Sequence, residues 1–166
     1  MTDETSTQNA VTIDRTFEAP VDLVWRMWTE PEHFTAWYGP AGTSIRVATM
    51  DLRVGGTRMV CMEMTTPGGT VQMWFTGEYR EISEHTRLVY TESMSDPSGK
   101  VLSSAEAGLP AGHPTTTEVT VELEDLDGRT RMTLTHVGIP EGSPGAEGWG
   151  MAIDKLAAHL AGQSRS

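Results

Sequence analysis

The sequence predicts an α+β domain in which one antiparallel sheet of about seven strands is covered by a long C-terminal helix. Three observations carry this. Several segments alternate with period two: Val119, Val121 and Leu123 oppose Glu118, Thr120, Glu122 and Glu124, and Met73, Phe75 and Tyr79 oppose Gln72, Trp74, Thr76 and Glu78. One dry face and one wet face is the pattern of an antiparallel sheet. Near the end of the chain, Trp149, Ile153, Leu156 and Leu160 fall on one stripe of a 3.6-residue period, with Asp154 and Lys155 off it. The order of elements is strand, two short helices, six strands, long helix.

Taken in order, Met1 to Ala10 is polar and aperiodic and reads as a disordered tail. A single domain is expected over residues 11–162, with 163–166 as a C-terminal tail. Val11, Ile13 and Phe17 alternate with polar neighbours in a first strand that Ala19-Pro20 ends. Val21, Val24, Trp25 and Trp28 then take helical spacing, and Thr29-Glu30-Pro31-Glu32 has the form of a capping box with Thr29 as N-cap and Glu32 at N3. A second short helix follows, closed by Trp37-Tyr38-Gly39-Pro40.

Further strands are expected near 43–51, 57–65, 70–82, 86–94, 116–124 and 130–138. Gly55-Gly56, Pro67-Gly68-Gly69, Glu84-His85 and Asp127-Gly128 supply hairpin connections between them. Residues 95–115, rich in Ser, Gly, Pro and Ala, form an unusually long connection of the kind that serves as a mobile lid. Ser143 and Pro144 read as N-cap and first residue of the final helix, and Gly162 as its stop. Gly145, Gly148 and Gly150 around Trp149 disfavour a helix interior, which implies that something approaches its first turns closely.

Composition excludes several classes. Twelve basic residues against 23 acidic ones give a net charge of −11, so nucleic acid and anionic membranes are poor partners. No apolar run is long enough to span a bilayer, and no signal-peptide pattern is read at the start. The single cysteine, Cys61, makes no intrachain disulfide and fits a reducing cytoplasm. His33, His85, His113, His136 and His159 are scattered without metal-ligand spacing, so no metal is expected. No nucleophile elbow or dinucleotide-binding context is present, so no cofactor is expected either.

The pieces "RTFEAPVDLVWRMWTEPEHFTAWYGP" (15–40), "DLRVGG" (51–56), "GEYREI" (77–82), "RLVYTES" (87–93) and "GWGMAIDKLAAHL" (148–160) give the chain, over roughly Val11 to Leu160, a resemblance to a known family. It resembles the START-like helix-grip superfamily (SRPBCC), in the branch homologous to the activator of a heat-shock-chaperone ATPase. The resemblance implies a curved antiparallel sheet wrapped around the C-terminal helix, with a cavity between them. It implies no shared catalytic motif, and the 95–115 connection looks longer than is usual in the family.

With the helix on one side, the alternation aims Val60, Met62, Met64, Met73, Phe75, Tyr79, Leu88, Tyr90, Met94, Met132, Leu134 and His136 at the cavity, facing Trp149 and Ile153. The same residues also suit a plain filled core. Glu92 alternates with Tyr90 and Met94 and so leans inward, while no spacing shows that it meets His136. Arg58 reads more readily as a surface arginine than as an inward charge. His136, Glu92 and Tyr79 are the candidate proton handlers should the protein be an enzyme.

The leading expectation is a monomeric binding protein for a small hydrophobic, polycyclic or polyketide-like molecule. It would serve in transport, sequestration or self-resistance to a toxic natural product, as antibiotic-resistance proteins do. A cofactor-free cyclase or aromatase is the alternative, and a co-chaperone that stimulates a chaperone ATPase ranks third.

Overall fold

The computed structural model describes residues 10–39, 42–103, 105–106, 115–139 and 144–164. In chain order these form β1 (Ala10–Phe17), α1 (Val21–Thr29), α2 (Pro31–Trp37), β2 (Thr43–Met50), β3 (Thr57–Thr66), β4 (Gly69–Ser83), β5 (Arg87–Ser95), β6 (Thr117–Asp125), β7 (Thr130–Val137) and α3 (Pro144–Ser164). The strands make one curled antiparallel sheet in the order β1-β7-β6-β5-β4-β3-β2. Four of the links are hairpins between consecutive strands, and β1 closes the order by pairing with β7. The fold is the α+β arrangement that the residue patterns predict, in the helix-grip form that the resemblance implies.

Period-two burial holds in β6 but not in β4, where Met73, Trp74, Phe75, Thr76 and Glu78 are all half-buried. In β6, Thr117, Val119, Val121 and Leu123 are buried, and Glu118 and Glu122 are exposed. The stripe of α3 also holds: Trp149, Ile153, Leu156 and Leu160 are buried against the sheet, and Asp154 is exposed. Burying such side chains is the main favourable term in folding, at roughly 25 cal/mol per Å² of apolar surface. Asp127 and Gly128 both take positive φ (62° and 97°), the geometry that an Asp-Gly hairpin turn needs to match strand twist. At Gly77 the requirement is space: a Cβ there would collide with the Thr91 carbonyl oxygen on β5.

Local expectations fail at four places. Thr29 does not cap α2. It is the last residue of α1, its hydroxyl donates to the Trp25 carbonyl (3.0 Å), and Glu30 occupies the N-cap without a side-chain bond. Pro31 fixes the start at its own position because it has no N–H to satisfy. Gly162 does not stop α3, which runs on to Ser164 with Gly162 in helical conformation, so Gln163 and Ser164 belong to the helix rather than to a tail.

The connection after β5 is folded in its first part. Val101 bridges back to Ser95, Leu102 N–H donates to the Met94 carbonyl (2.9 Å), and Asp96 Oδ1 accepts from the Ser98 and Lys100 N–H groups. A fully mobile 95–115 lid is therefore corrected at its start; residue 104 and residues 107–114 lie outside the described residues. Ala10, assigned to the tail, instead opens β1 by pairing with Val137. The rest of the tail, residues 1–9, and the expected N-cap Ser143 lie outside the described residues as well.

Among the described residues, no helix is long and apolar enough to cross a membrane.

Candidate ligand cavity

The two short helices place one end of the site. Trp37 Nε1 donates to the Met27 carbonyl (3.0 Å), which locks α2 against α1. The next residue, Tyr38, leaves the helix with ψ 145°, and its ring stacks on Phe34 with centroids 4.2 Å apart. Gly39 then turns the chain at φ +89°; a Cβ there would sit 2.7 Å from Thr43 Oγ1 and 3.0 Å from Met62 Cε. The positive φ and the nearness of Thr43 on β2 both favour glycine here.

Beside this corner lies a cavity of about 220 Å³ between sheet and helix. Tyr38 and Gly39 form one wall, and Met62 of β3, Phe75 of β4, Glu92 of β5 and His136 of β7 form the floor. Gly148, Trp149 and Ala152 of α3, with Ile139 after β7, complete it. Gly148 is thus the glycine of α3 that the cavity uses, whereas a Cβ at Gly150 would meet nothing.

Two polar networks border the cavity. Tyr38 OH donates to Glu92 Oε2 (3.1 Å) and lies 2.9 Å from Tyr90 OH. An ionised carboxylate has no proton to give, so Tyr38 donates to it and Tyr90 in turn donates to Tyr38. Arg58 Nη1 stands 3.7 Å from the same Oε2, and its guanidinium lies 3.7 Å from the Tyr90 ring centroid. Arg58 is only 2% exposed. The expectation of a surface arginine is corrected: the Tyr90 face and the Glu92 charge provide for a buried cation. Burial raises the Glu92 carboxyl above its ordinary range, with Arg58 and the Tyr38 hydroxyl pulling the other way. Burial likewise keeps Tyr38 protonated well above its usual range.

In the second network, Trp149 Nε1 donates to His136 Nδ1 (2.8 Å), which makes Nε2 the protonated nitrogen. His136 Nε2 then donates to Thr117 Oγ1 (2.7 Å), and Thr117 donates to the Glu92 carbonyl (3.1 Å). Burial holds His136 down at about 4, so it is neutral near pH 7. Both ring nitrogens are occupied. His136 fixes the Trp149 indole and has no free nitrogen to offer a ligand.

Of the residues aimed at the cavity by alternation, Met62, Phe75, His136 and Trp149 line it, together with Glu92. Val60, Tyr79, Leu88, Tyr90, Met132, Leu134 and Ile153 lie in the packed core instead. Met64, Met73 and Met94 are half-buried and outside the lining. Glu92 and His136, which no spacing connected, are joined through Thr117. Tyr38 and Ala152 were not singled out for the site; Tyr38 sits in a segment read only as a helix end. His33 and His159, 126 positions apart, also meet, with Nδ1 and Nε2 3.2 Å apart between α2 and α3. Among the described residues, no group of three His, Cys, Asp or Glu side chains is placed to hold a metal ion.

A curled sheet gripping a C-terminal helix, with a cavity between them, defines a helix-grip domain. The chain belongs to the family described as Activator of Hsp90 ATPase homolog 1-like protein, whose model matches residues 18–161. Among solved structures it is similar to a protein from Chromobacterium violaceum, with 26% identity over 92% of this chain and 96% of that one and a TM-score of 0.73. A protein from Nitrosomonas europaea gives 27% identity, 96% and 98% coverage and a TM-score of 0.72. The AHSA1 protein from Silicibacter pomeroyi, at 18% identity, 93% and 99% coverage and a TM-score of 0.71, shares the fold. None of the curated proteins matches the chain.

Proposed function

We propose that the protein binds a small hydrophobic molecule in the cavity between the sheet and α3, and carries or sequesters it without converting it. The observation behind this reading is a space of about 220 Å³ bordered by Met62, Phe75, Ile139 and Trp149. An engineered apolar cavity of about 150 Å³ accepts benzene, so this one suits a one- or two-ring compound better than a larger polycycle. Transport and self-resistance to a natural product of that size both fit such a site.

Calorimetric titration with naphthalene tests the reading. Saturable binding is expected in the wild type. In Ala152→Phe, which places a ring in the cavity from α3, affinity should fall at least about tenfold while the fold persists, because a filled cavity loses the apolar contact area. Unchanged affinity would place naphthalene elsewhere and sink the proposal.

The cyclase or aromatase reading draws on one observation, the buried Glu92 carboxyl with its raised pKa at the cavity floor. His136 does not support it, since both its nitrogens are engaged. A chaperone-directed role, which the family description suggests, makes no use of the cavity.

A further inference from the structure

Among the described residues that line the cavity, one side-chain oxygen has no donor. Both partners of the Glu92 carboxylate, the Tyr38 hydroxyl and Arg58 Nη1, approach Oε2. Among the described residues none donates a hydrogen bond to Oε1. The other polar groups at the walls are satisfied internally: His136 by Trp149 and Thr117, Tyr38 by Tyr90 and Glu92. Among the described residues that line the cavity, the site therefore offers an unused side-chain acceptor and no unused side-chain donor; the unpartnered Arg58 Nε belongs to a residue outside the lining.

Charge narrows the class further. Arg58 and Glu92 form a balanced pair, and the tyrosines around them stay protonated. A ligand carboxylate would add a second buried anion against Glu92, and its desolvation would be poorly compensated because Arg58 faces Glu92 from outside the cavity lining. A ligand cation would leave the cluster with a net positive charge in the same dry surroundings. A neutral O–H or N–H adds no charge and gains a hydrogen bond to an ionised acceptor, the stronger kind.

We propose that the cavity selects neutral one- or two-ring aromatic molecules bearing a hydroxyl or N–H donor, with Glu92 Oε1 accepting that hydrogen bond and Met62, Phe75 and Trp149 enclosing the rings. This rests on the ligand-binding reading above. It makes Glu92 a specificity residue whose position is set from behind by Arg58 and Tyr38.

Three compounds of one skeleton test it by calorimetry on the full chain at pH 7.5: naphthalene, 2-naphthol and 2-naphthoate. Wild type should bind 2-naphthol about tenfold or more tighter than naphthalene, as a charge-assisted hydrogen bond warrants, and 2-naphthoate weakest of the three. In Glu92→Gln the advantage of 2-naphthol over naphthalene should shrink to a few-fold; an advantage that stays at the wild-type value would overturn Glu92 as the acceptor. Equal binding of naphthalene and 2-naphthol in the wild type would overturn the selectivity and leave the ligand-binding reading standing. Tightest binding of 2-naphthoate would overturn it in favour of Arg58 as the anchor. If none of the three binds, the ligand-binding reading fails with it. The wild-type series decides the matter even if the variant does not fold.

Discussion

Replacing Arg58 with Met is expected to cost about 3–5 kcal/mol of stability, the usual penalty for stranding one member of a buried ion pair. The residue is 2% exposed, and the Glu92 side chain facing it is 12% exposed, so water replaces the lost partner poorly. The substitution also removes a cation held 3.7 Å from the Tyr90 ring centroid, a contact worth about 2 kcal/mol when desolvated. Adding Glu92→Leu should restore most of the loss, because an apolar pair of similar volume needs no charge compensation. Urea denaturation of the wild type, both single variants and the double variant measures this. A cost under about 1 kcal/mol for Arg58→Met would mean that the pair is solvated and that Glu92 is not held in place by it.

Acid is expected to destabilise the protein through His136. Burial lowers this group from 6.5 to about 4 in the folded chain, so between these values the unfolded chain binds the proton and the folded chain does not. Stability is therefore full above pH 6.5, falls as pH drops and levels off below about 4. At 1.36 kcal/mol per unit, the loss amounts to about 3 kcal/mol. Glu92 works in the opposite sense, since a carboxyl raised by burial folds more readily once protonated. A non-titrating comparison separates the two. His136→Gln keeps hydrogen-bonding capacity between Trp149 and Thr117, and its stability deficit relative to wild type should shrink by about 3 kcal/mol between pH 7.5 and 4. A deficit that does not change with pH would show that His136 accepts a proton in the folded state.

The scaffold was legible because its signals are periodic. Clean alternation in 117–123 and the apolar stripe of Trp149, Ile153, Leu156 and Leu160 each report which face is dry, and the Asp-Gly turn reports where a hairpin closes. The site was less legible because it is made by register and by breaks in periodicity. Arg58 shares its alternating face with Val60 and Met62, yet a charge on that face reads as a rim residue until Tyr90 and Glu92 are seen beneath it. Tyr38 belongs to no repeating element; it reaches the cavity because α2 ends one residue earlier and Gly39 turns the chain against Met62. The pairing of β3 with β4 and of β4 with β5 sets Val60 opposite Phe75 and Phe75 opposite Met94, and only Phe75 of these lines the space. Inward direction is visible in a sequence, but the distinction between core and cavity wall depends on where the helix lies along the strand. The cap of α2 was misread for a local reason: Pro31 at the first helical position overrides the Thr29 signal.

The most direct test of a ligand cavity is the methyl resonance of Met62 in protein labelled at methionine methyl carbons, followed during titration with naphthalene. Met62 Cε approaches Gly39 at the cavity wall, whereas Met27 and Met132 are fully buried in the core and Met151 is 40% exposed on the surface. A saturable ring-current shift at Met62, with Met27, Met132 and Met151 unmoved, is the expected result; a shift at Met151 with Met62 unmoved would contradict the cavity as the site of binding.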